Sequence, residues 1–457
     1  MILRLTRLAL ASRRRAFLRA LDHCRASQDA VLRDIVRRTS RTEYGRAHRV
    51  DPRDGYAAFA AKLPVVTYDD LQPWIDRQIA AEDRQLVDEP VLFYERTSGS
   101  TAASKLIPCT RALRRSFHRM FLVWLEDLLR NGPRLERGTL YISASPLREG
   151  GRTARGVPIG SQSDVDFLER GFAKLLRRFL VPLDANPEVV SVWNASVLHG
   201  IAPMPDVKLV SCWAAGAESL RETFPNAVIQ YKGLLATEAP ITIPLWGTGN
   251  PACPDRQDCL SSTFVPLLDE VFLELEDAQA RIHRLDEVTI GEEYALVISQ
   301  KAGLVRYRLG DRIRVTHAYR NAPCLAFLGR DGVSDLAGEK LSEGFAREVL
   351  SLVTGGRFGV LLPERDRYLA IAERGDAETI AHSVEEQLQR SYRYAEARQL
   401  GQLAPVCAAV VPDASTRWLE YFESKGMRRG DIKPAALVID RADARALAEI
   451  LHASTVQ

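Results

Sequence analysis

At 457 residues the chain exceeds what one hydrophobic core organises, so two or three domains are expected. Its 46% hydrophobic and 26% charged residues are the composition of a soluble globular protein. A formal net charge of +3 is small for this length and excludes any chain-wide signal for nucleic acid.

Leu3, Leu5, Leu8, Leu10 and Phe17 lie among Arg4, Arg7 and Arg13–Arg15, loosely in the manner of a transit peptide. Arg4 and Arg7 interrupt a secretory apolar core, and the apolar run is too short to span a bilayer. The helical pattern continues through Leu18, Leu21, Ala30, Val31, Ile35 and Val36. Residues 1–39 therefore predict a helix that docks its apolar stripe and leaves a basic face in solvent. A polar stretch, 40–53, and a segment with Phe59, Leu63, Val65 and Val66 follow. Tyr68-Asp69-Asp70-Leu71 then opens a short helix reaching about Ala80.

Glu95 to Pro108 is the stretch around which the chain is organised. An apolar run, Val91 to Tyr94, feeds five small or hydroxyl residues, Thr97, Ser98, Gly99, Ser100 and Thr101, and Lys105 adds a positive charge. Such a loop exposes backbone N–H groups and hydroxyls on one side, which suits a phosphate chain. It lacks the glycine–lysine spacing of the common nucleotide-binding loop, and alone it reads first as an ordinary turn. Leu113, Phe117, Met120, Phe121, Trp124 and Leu128 then recur at spacings of three and four, predicting a helix over 111–130. Residues 139–145 read as a strand, and the Gly/Arg-rich residues 148–160 either cover a pocket or move freely.

The middle of the chain alternates strand (207–212), helix (217–224) and strand (227–235), the pattern of a right-handed parallel crossover. The last strand runs into Lys232-Gly233-Leu234-Leu235-Ala236-Thr237-Glu238, and ligands gather at strand ends in such sheets. Glu238 there is either a Mg2+ carboxylate or a solvated strand-end residue, and Thr237 is placed to bond a phosphate oxygen. Residues 294–299 and 303–309 predict a hairpin leading to Tyr307-Arg308-Leu309-Gly310-Asp311. An aspartate at that point can accept hydrogen bonds from two ribose hydroxyls. A strand over 324–328 closes at Arg330, and a hinge at Asp331–Gly332 divides the chain into 1–330 and 331–457. Beyond it come strands at 357–362 and 367–372, a helix over 378–397, a strand at 405–411 and a helix over 415–425. The turn Gly430-Asp431-Ile432-Lys433-Pro434 carries one lysine.

The seven cysteines have no Cys-x2-Cys spacing and read as free thiols in a reducing cytoplasm. Cys253 and Cys259 form the one close pair, without histidines near enough for a metal site. Eight dispersed histidines and the absence of a Gly-x-Ser-x-Gly elbow weigh against a metallohydrolase and a serine hydrolase.

Taken in order, these segments resemble the acyl-acid amido synthetases related to the plant auxin-conjugating enzymes, a branch of the adenylate-forming ligases. The resemblance rests on Thr97-Ser98-Gly99-Ser100-Thr101 with Lys105, on Lys232 to Glu238, on Tyr307 to Asp311, on Phe327-Leu328-Gly329-Arg330 with Gly338 to Glu343, and on Gly430 to Pro434. Tyr44-Gly45 and Tyr68 to Pro73 match the family's N-terminal portion. It implies an α/β fold, with a large N-terminal adenylate-forming domain of mixed sheets and helices and a small mobile C-terminal α/β domain. It also implies ATP with Mg2+ as cofactors, a small carboxylic acid and an amine or amino acid as partners, and neither nucleic acid nor a membrane span.

The same resemblance assigns roles. Thr97 to Thr101, with Arg330, would bind ATP and its phosphates; Thr237 would contact the α-phosphate, Glu238 would hold Mg2+ and Asp311 the ribose. Lys433, with Lys105, would be catalytic, neutralising charge on the α-phosphate as the small domain closes. Three departures stand out. Ala102-Ala103 replace glycine after the second threonine, Leu234 stands where an aromatic often faces adenine, and the segment after Trp193-Asn194 is short. Transfer to the thiol of coenzyme A or a carrier protein, and a catalytically weakened nucleotide- or acyl-binding protein, are the rival readings.

Overall fold

The computed structural model describes residues 2–81, 84–96, 105–142, 151–160, 168–193, 195–198, 201–213, 217, 220–248, 264–330, 333–334, 336–337, 339, 341–399 and 401–452. The amphipathic N-terminal segment forms two helices, α1 (Ile2–Asp22) and α2 (Cys24–Thr39). They part at His23, whose φ of −122° and ψ of 50° leave helical geometry, so the single helix expected over 1–39 is broken. Short helices α3 (Glu43–Ala47) and α4 (Tyr56–Lys62) lead to α5 (Tyr68–Ala81). Strands β1 (Val91–Arg96) and β2 (Leu106–Thr110) pair antiparallel around residues 97–104. Helix α6 (Arg111–Asn131) follows, its N-terminus capped by the Thr110 hydroxyl accepting from the Leu113 N–H. α1 lies against α6, where Arg14 donates to Asp127 at 2.9 Å and sits 3.4 Å from Glu126, both carboxylates being buried.

The parallel sheet expected from the middle third is present and has four strands. β3 (Leu140–Ile142), β4 (Val189–Ser191), β5 (Leu209–Cys212) and β6 (Val228–Tyr231) run side by side in that order. Helices α7 (Arg170–Leu176) and α8 (Leu220–Thr223) lie on the connections. Alternate residues point to opposite faces: Val189 and Leu209 pack with Leu128 and Leu176, while Val190 and Val210 pack with Leu220 and Phe224. The last strand is shorter than the 227–235 segment expected. Gly233, at φ +81°, turns the chain into a small hairpin, β7 (Leu235–Ala236) with β8 (Ala239–Pro240). A Cβ on Gly233 would lie 2.6 Å from the Thr242 hydroxyl and 3.2 Å from the Phe264 ring, so glycine is needed for space as well.

A short pair, β9 (Thr242–Ile243) with β10 (Val265–Pro266), precedes a five-stranded antiparallel sheet. Its strands are β11 (Phe272–Glu276), β12 (Ile282–Arg284), β13 (Glu293–Ser299), β14 (Tyr307–Tyr319) and β15 (Ala322–Arg330), in the order 12-11-13-14-15. The hairpin expected over 294–309 is the β13–β14 pair. Beyond come β16 (Val333–Ser334), β17 (Leu341–Ser342) and the helix Glu343–Thr354. A three-stranded sheet follows, β18 (Gly359–Pro363), β19 (Tyr368–Ala372) and β20 (Cys407–Val410), with the last two parallel. The helix expected over 378–397 is two, Ala377–Leu388 and Tyr392–Gln399, because Ser391 starts a new turn by accepting from Ala395 N at 2.9 Å. Helices Ala414–Ser424 and Arg441–His452 complete the chain.

Apolar burial divides accordingly. Phe17, Phe59, Leu71, Phe272, Ile298 and Leu325 share one core. Leu341, Val349, Tyr368 and Ile380 form another, and Val360, Ile371, Trp418 and Leu447 a third. The helix Glu343–Thr354 meets β15 at Gly344, where a Cβ would sit 2.7 Å from the Leu328 carbonyl oxygen. No helix among the described residues is long and apolar enough to cross a membrane. Cys24, Cys109, Cys212, Cys324 and Cys407 are free thiols; Cys253 and Cys259 lie outside the described residues.

One buried ion pair joins α4, β11 and β14 beside the first of these cores. Arg306, at φ +49°, donates to Glu274 at 3.0 and 2.9 Å, and to the carbonyls of Ala60 and Leu63 at 3.0 and 2.7 Å. Tyr56 donates its hydroxyl to the same carboxylate. Replacing Glu274 by Ala strands a buried guanidinium. It is expected to cost about 3–5 kcal/mol, read as a fall in the urea midpoint at unchanged slope, with Glu274→Gln losing less.

Candidate active site

The carboxyl ends of the parallel strands carry the first part of the site. Trp193 follows β4, Trp213 follows β5 and Lys232 follows β6, so the common strand direction brings all three to one edge. The two indole rings lie 5.6 Å apart between centroids. Lys232 donates to the Ser191 hydroxyl at 2.7 Å, and its Nζ stands 4.9 Å from the Trp193 ring centre.

Thr237 and Glu238 form the two-residue tip of the β7–β8 hairpin, since Ala236 pairs directly with Ala239. A carboxylate at a hairpin tip is normally solvated, yet Glu238 is only 8% exposed. The solvated strand-end alternative is therefore not what this residue is. Burial raises the pKa of the Tyr68 hydroxyl, and the charges of Asp76, Asp69 and Glu238 add to the shift. The Tyr68 hydroxyl accepts from Leu106 N at 2.8 Å, and the Lys105 ammonium stands 5.4 Å from the centre of its ring. Tyr68 thus holds the start of β2 beneath Lys105. Thr237 is half-buried. Leu234 is 6% exposed and packed in the main core with Ile243 and Val265, so it is first a core residue rather than an open apolar surface.

Asp311 is displayed by an irregularity in the sheet. Val297 pairs with Arg308 and Ala295 with Arg312, so Leu309, Gly310 and Asp311 oppose one residue of β13. Gly310, at φ +84°, permits this bulge, and Asp311 is buried opposite Arg330 of β15. Tyr307, four positions earlier on the same strand, bridges Val66, two residues before Tyr68. That register connects the Asp311 end of the sheet to the Tyr68 cluster.

The serine- and threonine-rich loop, Thr97, Ser98, Gly99, Ser100 and Thr101, lies outside the described residues, as do Ala102-Ala103 and Asp331–Gly332. Its two flanks are described. β1 pairs with β2 on one side and, through Tyr94, with residues 158–160 on the other: Tyr94 N donates to Pro158 O at 2.9 Å and Gly160 N to Tyr94 O at 2.6 Å. The Gly/Arg-rich segment is thereby tied to β1 over its described part.

The remote turn is seated on the same edge. Lys433 lies with its Nζ 4.7 Å from the centre of the Trp213 ring. Arg428, five residues earlier, is 3.3 Å from Glu95 on β1. Sequence reasoning gave no role to Trp193, Trp213, Tyr68 or Lys232, and Arg428, which with Arg429 reads as a short solvated basic run, is instead largely buried against Glu95. The two tryptophans had a signal, since each closely follows an apolar run of a parallel crossover. Arg428 had none, because its partner lies near the other end of the chain.

Residues 13–220 match the GH3 family N-terminal domain, and residues 264–330 match the GH3 family central domain. Together these matches take in more than half of the chain. A rice (Oryza sativa subsp. indica) protein named indole-3-acetic acid-amido synthetase GH3.8 is 27% identical, with 67% of this chain and 66% of the relative covered. An Arabidopsis thaliana protein named indole-3-acetic acid-amido synthetase GH3.15 is 25% identical, with 75% and 73% covered. The chain thus spans about two thirds of the length of the rice relative it matches. The solved AtGH3.15 acyl acid amido synthetase in complex with 2,4-DB superimposes with a TM-score of 0.78 at 18% identity, over 96% of each chain. The fold is that of the GH3 acyl acid amido synthetases, and the chain belongs to the GH3 family.

Proposed function

We propose that the chain is an ATP-dependent ligase that adenylates a carboxylic acid and passes the acyl group to an amine or amino acid. The observation that carries this reading is the seat of Lys433. A lysine from the last thirty residues stands at the strand ends from which Trp213, Lys232 and the Thr237–Glu238 hairpin arise. In this reading residues 1–330 bind ATP and the acid, and residues 331–457 form a mobile lid hinged near Arg330. The separate cores on either side of that point support the division.

The residues fit the chemistry. A carboxylate oxygen of the acid bonds to the α-phosphorus as the bond to the bridging oxygen breaks, and pyrophosphate leaves with the electron pair. Lys433 places positive charge where the α-phosphate oxygens gain negative charge. Lys105 and the Thr97–Thr101 loop bind the phosphates, Thr237 touches the α-phosphate, and Asp311 and Arg330 hold the nucleotide. The amine nitrogen then attacks the acyl carbon, the bond to AMP breaks, and the nitrogen loses its proton to solvent. No group of three or more His, Cys, Asp or Glu side chains among the described residues could hold a metal. Glu238 suits Mg2+ that takes its other ligands from phosphates and water, as Mg2+ commonly does. When bound, the ion would neutralise phosphate charge. The free described thiols support a reducing cytoplasm as the setting.

Carboxylate-dependent ATP–pyrophosphate exchange over a panel of acids, followed by acceptor trials, tests the assignment. At least one acid should support exchange, and an amine should then yield an amide. Discharge by coenzyme A and by no amine replaces the amide reading with the thioester one; nucleotide binding without exchange favours the weakened binding protein. Lys433→Ala should slow adenylation by roughly a hundredfold or more, with attack on supplied acyl-adenylate much less affected. Glu238→Ala should lower Mg2+-dependent turnover with little change in melting temperature. An equal fall in both would mark Glu238 as structural.

A further inference from the structure

We infer that Glu343 is a positioning residue for Lys433, fixing the backbone just beyond the lysine to a helix that stands on the main chain of β15; the catalytic part of this inference rests on the reaction proposed above. Glu343 is the first residue of the helix Glu343–Thr354 and is 7% exposed. Its Oε1 accepts from Ala436 N at 3.3 Å and from the guanidinium of Arg347, one turn along the helix. The same Arg347 nitrogen donates to Pro434 O at 3.4 Å. The acid and its arginine therefore grip the backbone that directly follows Lys433. Ile432, just before the lysine, is buried with Trp418 and Leu447, and Leu437, beyond it, is buried with Val349 and Tyr368. Lys433 itself is exposed between these anchors.

The helix in turn takes its place from β15. At Gly344, the residue after Glu343, a Cβ would lie 2.7 Å from the Leu328 carbonyl oxygen, so the first turn of the helix rests on main chain. Two residues further along β15, Arg330 pairs with Asp311 of β14, and these are the residues proposed to hold the nucleotide. The lysine and the nucleotide-binding pair thus refer to one strand. Arg428 with Glu95, and the Trp213 ring against Lys433, are further ties between the turn and the rest of the chain. Glu343 matters by its place among these ties, for it joins the lysine's backbone to the helix seated on β15. Its removal leaves Ala436 N and the Arg347 guanidinium without this acceptor, and the segment loosens from the helix. A shift of about 1 Å in an oriented group is enough to slow a reaction roughly a hundredfold.

A double-mutant cycle on the full chain, Glu343→Ala with Lys433→Ala, tests the link. Hydrogen–deuterium exchange of the amides in 433–437 reads the tie without reference to activity. Glu343→Ala is expected to speed it roughly tenfold or more, leaving β19 unchanged. Carboxylate-dependent ATP–pyrophosphate exchange should fall roughly tenfold to a hundredfold, while attack of an amine on supplied acyl-adenylate changes little. Glu343→Gln, whose amide oxygen can still accept from Ala436 N, should lose less. In a Lys433→Ala background, Glu343→Ala should change the remaining adenylation by no more than about twofold, because its effect acts through the lysine. An equal further fall there, or wild-type adenylation in Glu343→Ala, overturns the positioning role. Unchanged deuterium exchange overturns the tie. Should Glu343→Ala fail to fold, Glu343→Gln enters the same cycle, and any loss it shows must again vanish in Lys433→Ala. Gly344→Ala, which displaces the helix from Leu328, should lower adenylation in the same absorbed way; wild-type adenylation in that variant overturns the reference to β15. A wild-type protein inactive with every acid fails the ligase reading instead, and deuterium exchange still decides whether Glu343 holds the segment.

Discussion

Arg306 holds a buried positive charge in a backbone conformation that side-chain-bearing residues rarely adopt, and the arrangement of the site follows from it. Its guanidinium spans Glu274 on β11 and two carbonyls at the end of α4. Its own N–H donates to the Ser299 hydroxyl at 2.8 Å. Closing these contacts brings the segment after α4 beside the start of β14, so that Val66 N donates to Arg306 O and Arg308 N to Val66 O at 2.9 and 2.8 Å. Tyr68 then comes to Leu106, and Lys105 to the Tyr68 ring. A desolvated charge is costly unless every donor finds an acceptor, which is why one residue can dictate so much geometry.

The edge of the parallel sheet has a different logic. Trp193 and Trp213 offer broad apolar faces of negative electrostatic character, and Lys232 and Lys433 each approach one of them. Two ammonium groups near one edge repel, and the aromatic faces offset part of that cost. Glu238 at its hairpin tip and Asp311 at a bulge are, by contrast, buried carboxylates. The two lysines give that edge local positive charge on a chain whose net charge is only +3.

Much of the architecture was legible because it rests on periodic burial. The spacing of Leu113, Phe117, Met120, Phe121, Trp124 and Leu128 specifies α6, and the apolar runs at 207–212 and 227–235 specify two parallel strands, the second ending early at Tyr231. What escaped was decided by single backbone geometries or by distant partners. One non-helical residue, His23, breaks the first helix without disturbing the pattern around it. Leu234 and Leu235 prolong an apolar run, but Gly233 has already turned the chain at positive φ. The candidate site was legible as a set of motifs, since Lys105, Glu238, Asp311 and Lys433 each lie in one. The aromatic platform was not, because it appears only once the strands are known to be parallel and their ends aligned. Arg428 and Glu95 share no local pattern, and only the assembled fold makes them neighbours.

The approach of the helix Glu343–Thr354 to β15 bears on how this chain can diverge. At Gly344 the obstacle to any side chain is the carbonyl oxygen of Leu328, 2.7 Å from where a Cβ would stand. A clash with a neighbouring side chain can be relieved by a second substitution that trims the neighbour. A clash with main chain cannot, because every residue at position 328 carries the same oxygen. Compensatory pairs are therefore closed to this position, and replacement requires the helix itself to shift, together with the β18–β19 layer packed against it. Position 344 is thus held to glycine by main chain alone, whatever side chains surround it.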